Sequence, residues 1–384
     1  MDLGLNEDQR MLVDAAKKLN DRFVTPLLAA HDRDKPLPRE AVLALLGQLS
    51  GLGLTSARIP ESGGGMGMKL LDYGLLVEQF PPTVGLIMQP HEATTTRIFF
   101  GGSDEQRERF VPDLIAGRRI GATGSTEPDV GSDPRGVKTT ATPEGDRVLL
   151  TGRKQWISNA SVCDVMYVTC RIPDGDGGHR MGRVLVEREV SPFQVREVDM
   201  LGLRQAPLGE VLFERCDIPA ANVCPDKADT ARLLTVTWLA NRPTVGLMAV
   251  HLAQKAFDMA RSYAGVRKQF GKAIGAFQLV QADLAEIETL IVTARLACYH
   301  ALAALDRGER ANGLSAMAKR HAVDACDRAI QLAMRVHGAM GLSRELGLEQ
   351  MARDVRTLAI PDGTPGILAL IQGREITGYD PFRT

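Results

Sequence analysis

One carboxylate near the end of the chain, Asp362, stands in a turn just before a helix, where it could act as a proton-abstracting base. The segment RDVRTLAIPDGTPGI puts it between a proline and a glycine, and Pro-Asp-Gly is an ordinary turn sequence. Thr364 can cap the following helix, and Pro365 suits its first position. A general base and a structural turn both fit this segment, and the segment alone favours the turn.

A second polar segment, TGSTEPDVGSD at 123–133, combines small hydroxyl residues, two glycines and a proline. Such a loop presents backbone N–H groups and hydroxyls to a ligand without side-chain obstruction. A solvated surface loop is the alternative, and it is the better interpretation of this segment by itself. Both segments gain meaning only from the elements that hold them.

The periodicity of apolar residues predicts three consecutive parts. From residue 5 to about 118 the apolar residues recur at spacings of three and four, which indicates helices interrupted by a Gly-rich loop at 62–68. Short β-branched runs separated by Gly, Pro and Asp follow to about 226, which is typical of antiparallel strands. Long helical patterns then return, and we predict helices at 231–263, 277–307, 313–338 and 366–377.

The composition argues against several classes of partner. The chain of 384 residues has 46 basic and 47 acidic side chains and a net charge of -1, with no block of one sign, so neither nucleic acid nor a membrane surface is indicated. Its six cysteines show no C-x-x-C pair or zinc spacing, so we expect reduced thiols and no metal site. No apolar signal segment is recognised and no run approaches the roughly 18 apolar residues of a membrane span, so we expect a cytoplasmic protein.

Further motifs follow the polar loop in a fixed order. They are GRKQWISNA at 152–160, RKQFGKAIGAFQLVQADLAEI at 267–287, MRVHGAMG at 334–341 and IPDGT at 360–364. Together these motifs resemble those of the acyl-CoA dehydrogenase family of flavoproteins, over essentially the whole chain. The resemblance implies an α+β, acyl-CoA dehydrogenase-like fold. Its parts would be an N-terminal helical domain (1–119), a middle antiparallel β domain (120–226) and a C-terminal four-helix bundle (227–384).

The resemblance also implies FAD as the cofactor and assigns residues to it. Near the flavin ring it places Thr123, Ser125, Thr126, Ser132, Trp156, Ser158 and Thr364. Near the pyrophosphate and adenosine, partly across a subunit interface, it places Arg267, Gln269, Phe270, Gln278, Arg335 and Gly338. The guanidinium of Arg267 suits a diphosphate. Without the motif, Trp156 would be interpreted as a buried core aromatic.

Asp362 occupies the place of the family's catalytic Glu in I-Y-E-G-T. The resemblance implies that it removes the α-proton of an acyl thioester while the β-hydrogen leaves as hydride to the flavin. Some family members carry the base just before an arginine that corresponds to Arg242, but residues 239–241 here include no carboxylate. Residues expected near the substrate are Ser132, Arg242, Gly363, Gln89 and Glu92.

The chain departs from the family pattern at several positions. Asp is shorter than Glu by about 1.3 Å, and a misplacement of about 1 Å can reduce a rate roughly a hundredfold. Arg335 stands where a Gln is usual, Ala339 replaces a Gly, and Gly366 replaces a polar residue. The predicted helix at 84–100, which faces the acyl chain in the resembling enzymes, contains many polar residues. A polar or short substrate tail is one explanation of these polar residues. The other is that their side chains face solvent or a neighbouring helix.

These observations support one leading function and two alternatives. The leading hypothesis is FAD-dependent dehydrogenation of an acyl-CoA or carrier-protein thioester, with an electron-transfer flavoprotein as external acceptor and a homotetramer or homodimer as the assembly. The first alternative is a flavin oxidase of the nitroalkane type or a lyase acting on a β-substituted acyl-CoA. The second is a flavin-binding relative without catalysis.

Overall fold

The N-terminal part of the chain is helical. The computed structural model describes residues 4–174, 177–225 and 230–382, with no side chains described for 230–236. The first helices are α1 (Glu7–Leu19), α2 (Thr25–Ala29), α3 (Arg39–Ser50), α4 (Leu70–Val77), α5 (Pro82–Gly101) and α6 (Asp104–Ile115), with a π-helical turn, Asn20–Val24, between α1 and α2. Capping boxes begin two of them: Asn6 with Gln9 at α1, and Ser103 with Gln106 at α6.

Helix α5 lies at the centre of the molecule and is buried on nearly every side. It packs against α6 and against later elements of both other parts of the chain. The predicted helix at 84–100 is therefore confirmed, and exposure of its polar residues to solvent is wrong. His91 illustrates the burial, because its Nε2–H donates to the carbonyl of Leu114 (2.8 Å) and its Nδ1 accepts from the N–H of Gly121 (3.0 Å). Burial lowers the pKa of His91 to about 4, so the ring is neutral.

The middle part forms one curled seven-stranded sheet. Its strands are β1 (Gly121–Gly124), β2 (Thr140–Glu144), β3 (Arg147–Ser158), β4 (Val165–Pro173), β5 (His179–Glu187), β6 (Gln194–Glu197) and β7 (Leu208–Pro219). The order is β1-β4-β2-β3-β7-β6, with β5 also paired to β4. The sheet is not wholly antiparallel, because β4 enters between β1 and β2 and runs parallel to both.

The C-terminal part is a bundle of long helices. They are α7 (Thr230–Val266), α8 (Gln278–Asp306), α9 (Asn312–His337), α10 (Leu348–Thr357) and α11 (Pro365–Thr377), and a small hairpin of β8 (Lys268–Gln269) and β9 (Lys272–Ala273) follows α7. The four predicted helices are confirmed to within three residues at each end, and the structure adds α10. The expected domain boundary between 226 and 227 lies outside the described residues.

Helix α8 is the one described helix that is long and apolar enough, by composition alone, to cross a membrane. Its most apolar 18-residue window has a mean hydropathy of 1.2. The composition of α8 therefore approaches that of a membrane span, which differs from the expectation from the sequence. The helix instead packs along α7 and α9, and the core helix of a bundle passes the same compositional test. Only 39% of that window is buried, which leaves an apolar face open.

A continuous hydrophobic core joins the three parts. Leu45 of α3, Val168 of β4 and Leu247 of α7 are each fully buried and belong to the same cluster. The sheet and the bundle are therefore held at fixed positions around α5.

The six cysteines are buried free thiols. The described residues hold no cluster of three or more His, Cys, Asp or Glu side chains suited to a metal.

Candidate active site

The turn that carries Asp362 connects α10 to α11. Asp362 has a left-handed backbone (φ 55°) and Gly363 follows at φ 112°. Asp tolerates this region better than most residues with a Cβ, and glycine enters it freely. Thr364 accepts a hydrogen bond from the N–H of Ile367 and Pro365 fills the first helical position, so the predicted cap is confirmed.

Two buried cations hold this turn through its backbone. The Lys319 ammonium, 1% exposed on α9, donates to the carbonyl oxygens of Ala359 (3.2 Å), Gly363 (2.7 Å) and Pro361. Arg242 on α7 donates through Nε to the carbonyl of Asp362 itself (3.1 Å). The sequence interpretation missed Lys319, although a lysine among the alanines of AMAKRHAVDA breaks an apolar helix face and could have signalled a buried role.

The Asp362 carboxyl group is surrounded by positive charge. Burial raises its pKa, while the nearby cations Lys319, Arg242, Arg97 and Arg58 act in the opposite direction. Burial also lowers the pKa of Lys319 to about 8, against the attraction of Asp362. A carboxyl group with a raised pKa beside fixed cations is suited to accept and hold a proton.

The predicted substrate residues on α5 are engaged by protein groups. Glu92 is fully buried and pairs with Arg58, whose Nε lies 2.9 and 3.0 Å from its two oxygens, and it accepts a hydrogen bond from Thr96. Gln89 donates to the hydroxyl of Thr244 at 2.5 Å. Both side chains lie in the interior, and their predicted contact with substrate remains a prediction.

A buried ion pair shapes the polar loop. Lys154 of β3 lies 2.8 Å from the Glu127 carboxylate and donates to the carbonyl of Ser125 (3.2 Å). Glu127 also accepts the backbone N–H groups of Lys138 (2.7 Å) and Thr139 (2.9 Å). These contacts hold the backbone of the loop in place. Ser125 and Thr126 are half-buried, and Ser132 is exposed.

Trp156 is presented outward by a bulge in β3. The pairing of β3 with β7 shifts register between Lys154 and Ile157, and Trp156 has φ 61° and is 50% exposed. Its interpretation as a buried core aromatic is therefore wrong. Asn159, also left-handed at φ 63°, donates to the carbonyls of Ile87 (2.8 Å) and Gly121 (3.1 Å) and so ties this strand to α5 and β1.

The predicted pyrophosphate and adenosine residues lie on the outside of the bundle. Arg267, Gln269 and Phe270 belong to the exposed hairpin, where Phe270 is 92% exposed, and Gln278 begins α8. Arg335 pairs with Asp283 (Nε–Oδ2 3.0 Å). None of these residues is among the described partners of Asp362, and Gly338 is exposed at the end of α9.

The residues present fit FAD in its two halves. The half-exposed indole of Trp156 offers an apolar surface for a flavin ring. Thr126, whose carbonyl accepts the N–H of Gln155 (3.0 Å), and Ser158 offer hydroxyl groups on the same segments. The exposed guanidinium of Arg267 and the adjacent Phe270 ring offer a diphosphate partner and a stacking surface.

The fold and this site define a member of the acyl-CoA dehydrogenase family, an FAD-dependent enzyme. Three family models match the chain: the acyl-CoA dehydrogenase N-terminal domain at 6–118, the middle domain at 122–216 and the C-terminal domain at 232–377. The chain belongs to this family.

Similar proteins cover the chain from end to end. A benzylmalonyl-CoA dehydrogenase of Aromatoleum aromaticum is 33% identical, covering 98% of this chain and 100% of the relative. A glutaryl-CoA dehydrogenase of Desulfococcus multivorans is 31% identical over 97% of both chains. The structure of butyryl-CoA dehydrogenase from Megasphaera elsdenii superposes with a TM-score of 0.89 at 26% identity, covering 98% of this chain and 100% of that one.

Proposed function

We propose that the protein removes the α- and β-hydrogens of an acyl-CoA, with Asp362 as the base that takes the α-proton. The observation that carries this proposal is the Asp362 turn, where a buried carboxyl group with a raised pKa is fixed by Lys319 and Arg242. Bound FAD supplies the acceptor for the hydride that leaves the β-carbon. The chain's own part is to orient the acyl group, exclude water and hold the transferred proton on Asp362.

The cations around the turn surround the charge that moves during proton removal. Asp362 carries the negative charge before the reaction, and this charge passes to the thioester carbonyl oxygen as the α-proton is taken up, so cations help catalysis to the extent that they lie nearer to the oxygen than to the carboxylate. Each residue acts without rearrangement, because Lys319 and Arg242 are already held by backbone carbonyls. The left-handed backbone at Asp362 sets the direction of its side chain, which is shorter than the Glu of the resembling enzymes.

We propose coenzyme A as the acyl carrier, because one cavity of the β domain is lined by basic residues. A cavity of about 310 Å³ is lined by Val137, Cys170 and Met181 together with four basic residues: Arg135, Arg171, His179 and Arg180. Several phosphates in one ligand suit the three arginines of this group. Arg171→Gln is expected to raise the KM for an acyl-CoA and leave that for the matching acyl-pantetheine unchanged; equal KM effects on both thioesters would contradict the assignment.

A homotetramer or homodimer is the assembly we propose, in the cytoplasm, with an electron-transfer flavoprotein as the external acceptor. Large apolar side chains on the bundle support the assembly, namely Val266, Phe270, Leu279, Leu342 and Ile376, each at least 72% exposed. A second chain placed over them would cover the apolar face of α8 and complete the adenosine half of the FAD site. Sedimentation with and without Phe270→Asp tests this, since the variant is expected to lose both assembly and FAD.

Anaerobic bleaching of the bound flavin tests the proposed reaction. An acyl-CoA added without oxygen is expected to reduce the flavin, and Asp362→Asn is expected to slow that reduction by at least about a thousandfold while retaining FAD. Unchanged reduction in the variant would remove Asp362 from the mechanism. Peroxide formed in step with turnover in air would favour the oxidase alternative, and redox-neutral loss of a β-substituent would favour the lyase.

A further inference from the structure

Arg97, near the end of α5, is a buried cation without an acidic partner. The residue is 4% exposed, and its Nη1 donates to the hydroxyl of Thr123 at 3.1 Å. Its Nε is buried and makes no hydrogen bond, and none of the carboxylates in the described parts of the chain lies within 4.0 Å of its guanidinium. Burial lowers the pKa of Arg97 to about 10, so the group still carries its charge at neutral pH.

Arg58 offers a second unused donor nearby. Its Nε and Nη2 are occupied by Glu92, but Nη1 is buried and has no partner. Arg58 pairs with Glu92, which also accepts a hydrogen bond from Thr96, the residue before Arg97 on α5. Both guanidinium groups therefore lie beside the same stretch of α5, and the charges of both act on Asp362.

The balance of charge in this region calls for an anion. Four cations (Arg58, Arg97, Arg242 and Lys319) act on Asp362, so the region has four cations and two carboxyl groups, and Glu92 pairs with Arg58. The ammonium of Lys319 and the Nε of Arg242 already donate to carbonyl oxygens of the turn. Arg97 is in contact with the hydroxyl of Thr123 and with the ring of Tyr167, whose centroid lies 5.9 Å from its guanidinium carbon, and neither group carries a full negative charge. A buried charge is stable when it is paired and hydrogen-bonded.

We propose that the acyl group carries a second carboxylate, which binds between Nε of Arg97 and Nη1 of Arg58. The substrate is then the coenzyme A monothioester of a short dicarboxylic acid. It is short because the same cations that bind the far carboxylate also act on Asp362, which takes the α-proton. This inference rests on the proposed dehydrogenation, and it makes Arg97 a specificity-determining residue.

A rival role for the two arginines is stabilisation of the enolate oxygen, which every acyl thioester shares. The two roles differ in how the chain-end charge of the substrate affects the rate. Anaerobic flavin reduction is therefore measured with succinyl-, glutaryl- and adipyl-CoA and with the uncharged butyryl-, pentanoyl- and hexanoyl-CoA. A charge-assisted contact predicts that one dicarboxylic thioester exceeds its uncharged partner in kcat/KM by about 10-fold or more.

The variants Arg97→Gln and Arg97→Lys identify the residue responsible. The Gln variant is expected to lose the preference, so that kcat/KM falls about 10-fold more with the dicarboxylic thioester than with its uncharged partner, and the Lys variant is expected to retain part of the preference. Arg118→Gln, which alters an exposed ion pair with Asp113, is the matched control. FAD content and thermal unfolding establish that each variant is folded, and calorimetric binding of a non-reactive dicarboxylic thioether of coenzyme A gives a second measure of the same contact.

The outcomes separate the inference from the proposed function. Faster reduction by the uncharged thioesters, or an equal loss with both classes in Arg97→Gln, would overturn the dicarboxylic substrate and leave dehydrogenation intact. Failure of every thioester to bleach the flavin of the unaltered enzyme would overturn both.

Discussion

The ammonium group of Lys319 lies 2.7 Å from the carbonyl oxygen of Gly363, the residue that follows the proposed base. The two residues stand 44 positions apart, on α9 and on the turn before α11. With its further bonds to Ala359 and Pro361, this one side chain fixes the backbone on both sides of Asp362. Lys319 is therefore a positioning residue for the base.

Replacing Lys319 with Met is expected to slow flavin reduction by about a hundredfold, because a shift of about 1 Å in the base has that effect. FAD content should remain largely unchanged, since Thr364 is the one residue expected near the flavin that adjoins this turn, and the KM should change less than kcat. Stopped-flow reduction under anaerobic conditions measures the rate. Lys319→Arg is the control and should restore part of the rate; a Met variant with normal kcat would contradict the positioning role.

The pH dependence of kcat is expected to have two limbs. Asp362 accepts a proton only when ionised, and burial raises its pKa, so the rate should rise with pH through a value above the ordinary 3.8. Lys319 is charged below its pKa of about 8, and its hold on three carbonyls weakens when it loses a proton, so the rate should fall above that pH.

Flavin reduction at saturating substrate across this range measures both limbs. The variant Lys319→Met should lack the descending limb. A wild-type rate that stays constant through pH 8 would show that the protonation of Lys319 does not control the turn.

The ion pair between Lys154 and Glu127 should be essential for the conformation of the polar loop at 123–133. Glu127→Gln leaves a buried ammonium without its counter-charge, and breaking a buried pair in this way costs about 3–5 kcal/mol. Denaturant unfolding should show that loss together with weaker FAD binding. The double variant Glu127→Gln with Lys154→Met should be less destabilised than the sum of the single variants, and strict additivity would argue against the pair.

The free energy of unfolding should also decrease as the pH rises from about 4 to about 6, because of Asp354. Burial raises the pKa of this carboxyl to about 6, and one of its oxygens accepts the N–H of Leu203 at 2.6 Å. The folded state therefore binds the proton more tightly than the unfolded state, so the free energy of unfolding decreases as the proton is lost.

Asp354→Asn keeps the acceptor and removes the charge. The variant is expected to flatten this part of the pH dependence, whose full amplitude is about 3 kcal/mol for a shift of about two pKa units. Denaturant unfolding at a series of pH values measures it. Asp113→Asn, on an exposed carboxylate, should retain the wild-type slope.

Local patterns in the sequence determined much of this protein. Helix periodicity predicted α7, α8, α9 and α11, because an amphipathic face is written in neighbouring residues. The Pro-Asp-Gly-Thr-Pro order predicted the turn and cap at Asp362 for the same reason. The bulge that turns Trp156 outward was beyond such patterns, because it depends on the register between β3 and β7.

Only the tertiary structure decided the surroundings of Asp362. Lys319, Arg58 and Arg97 come from distant segments, and nothing in their local sequence shows which group each will meet. The polar residues of α5 had been compatible with solvent, and packing against the sheet and the bundle buried them. A base and its turn are local and can be predicted from neighbouring letters, whereas the charge that surrounds the base is a sum over contacts that exist only when the chain is folded.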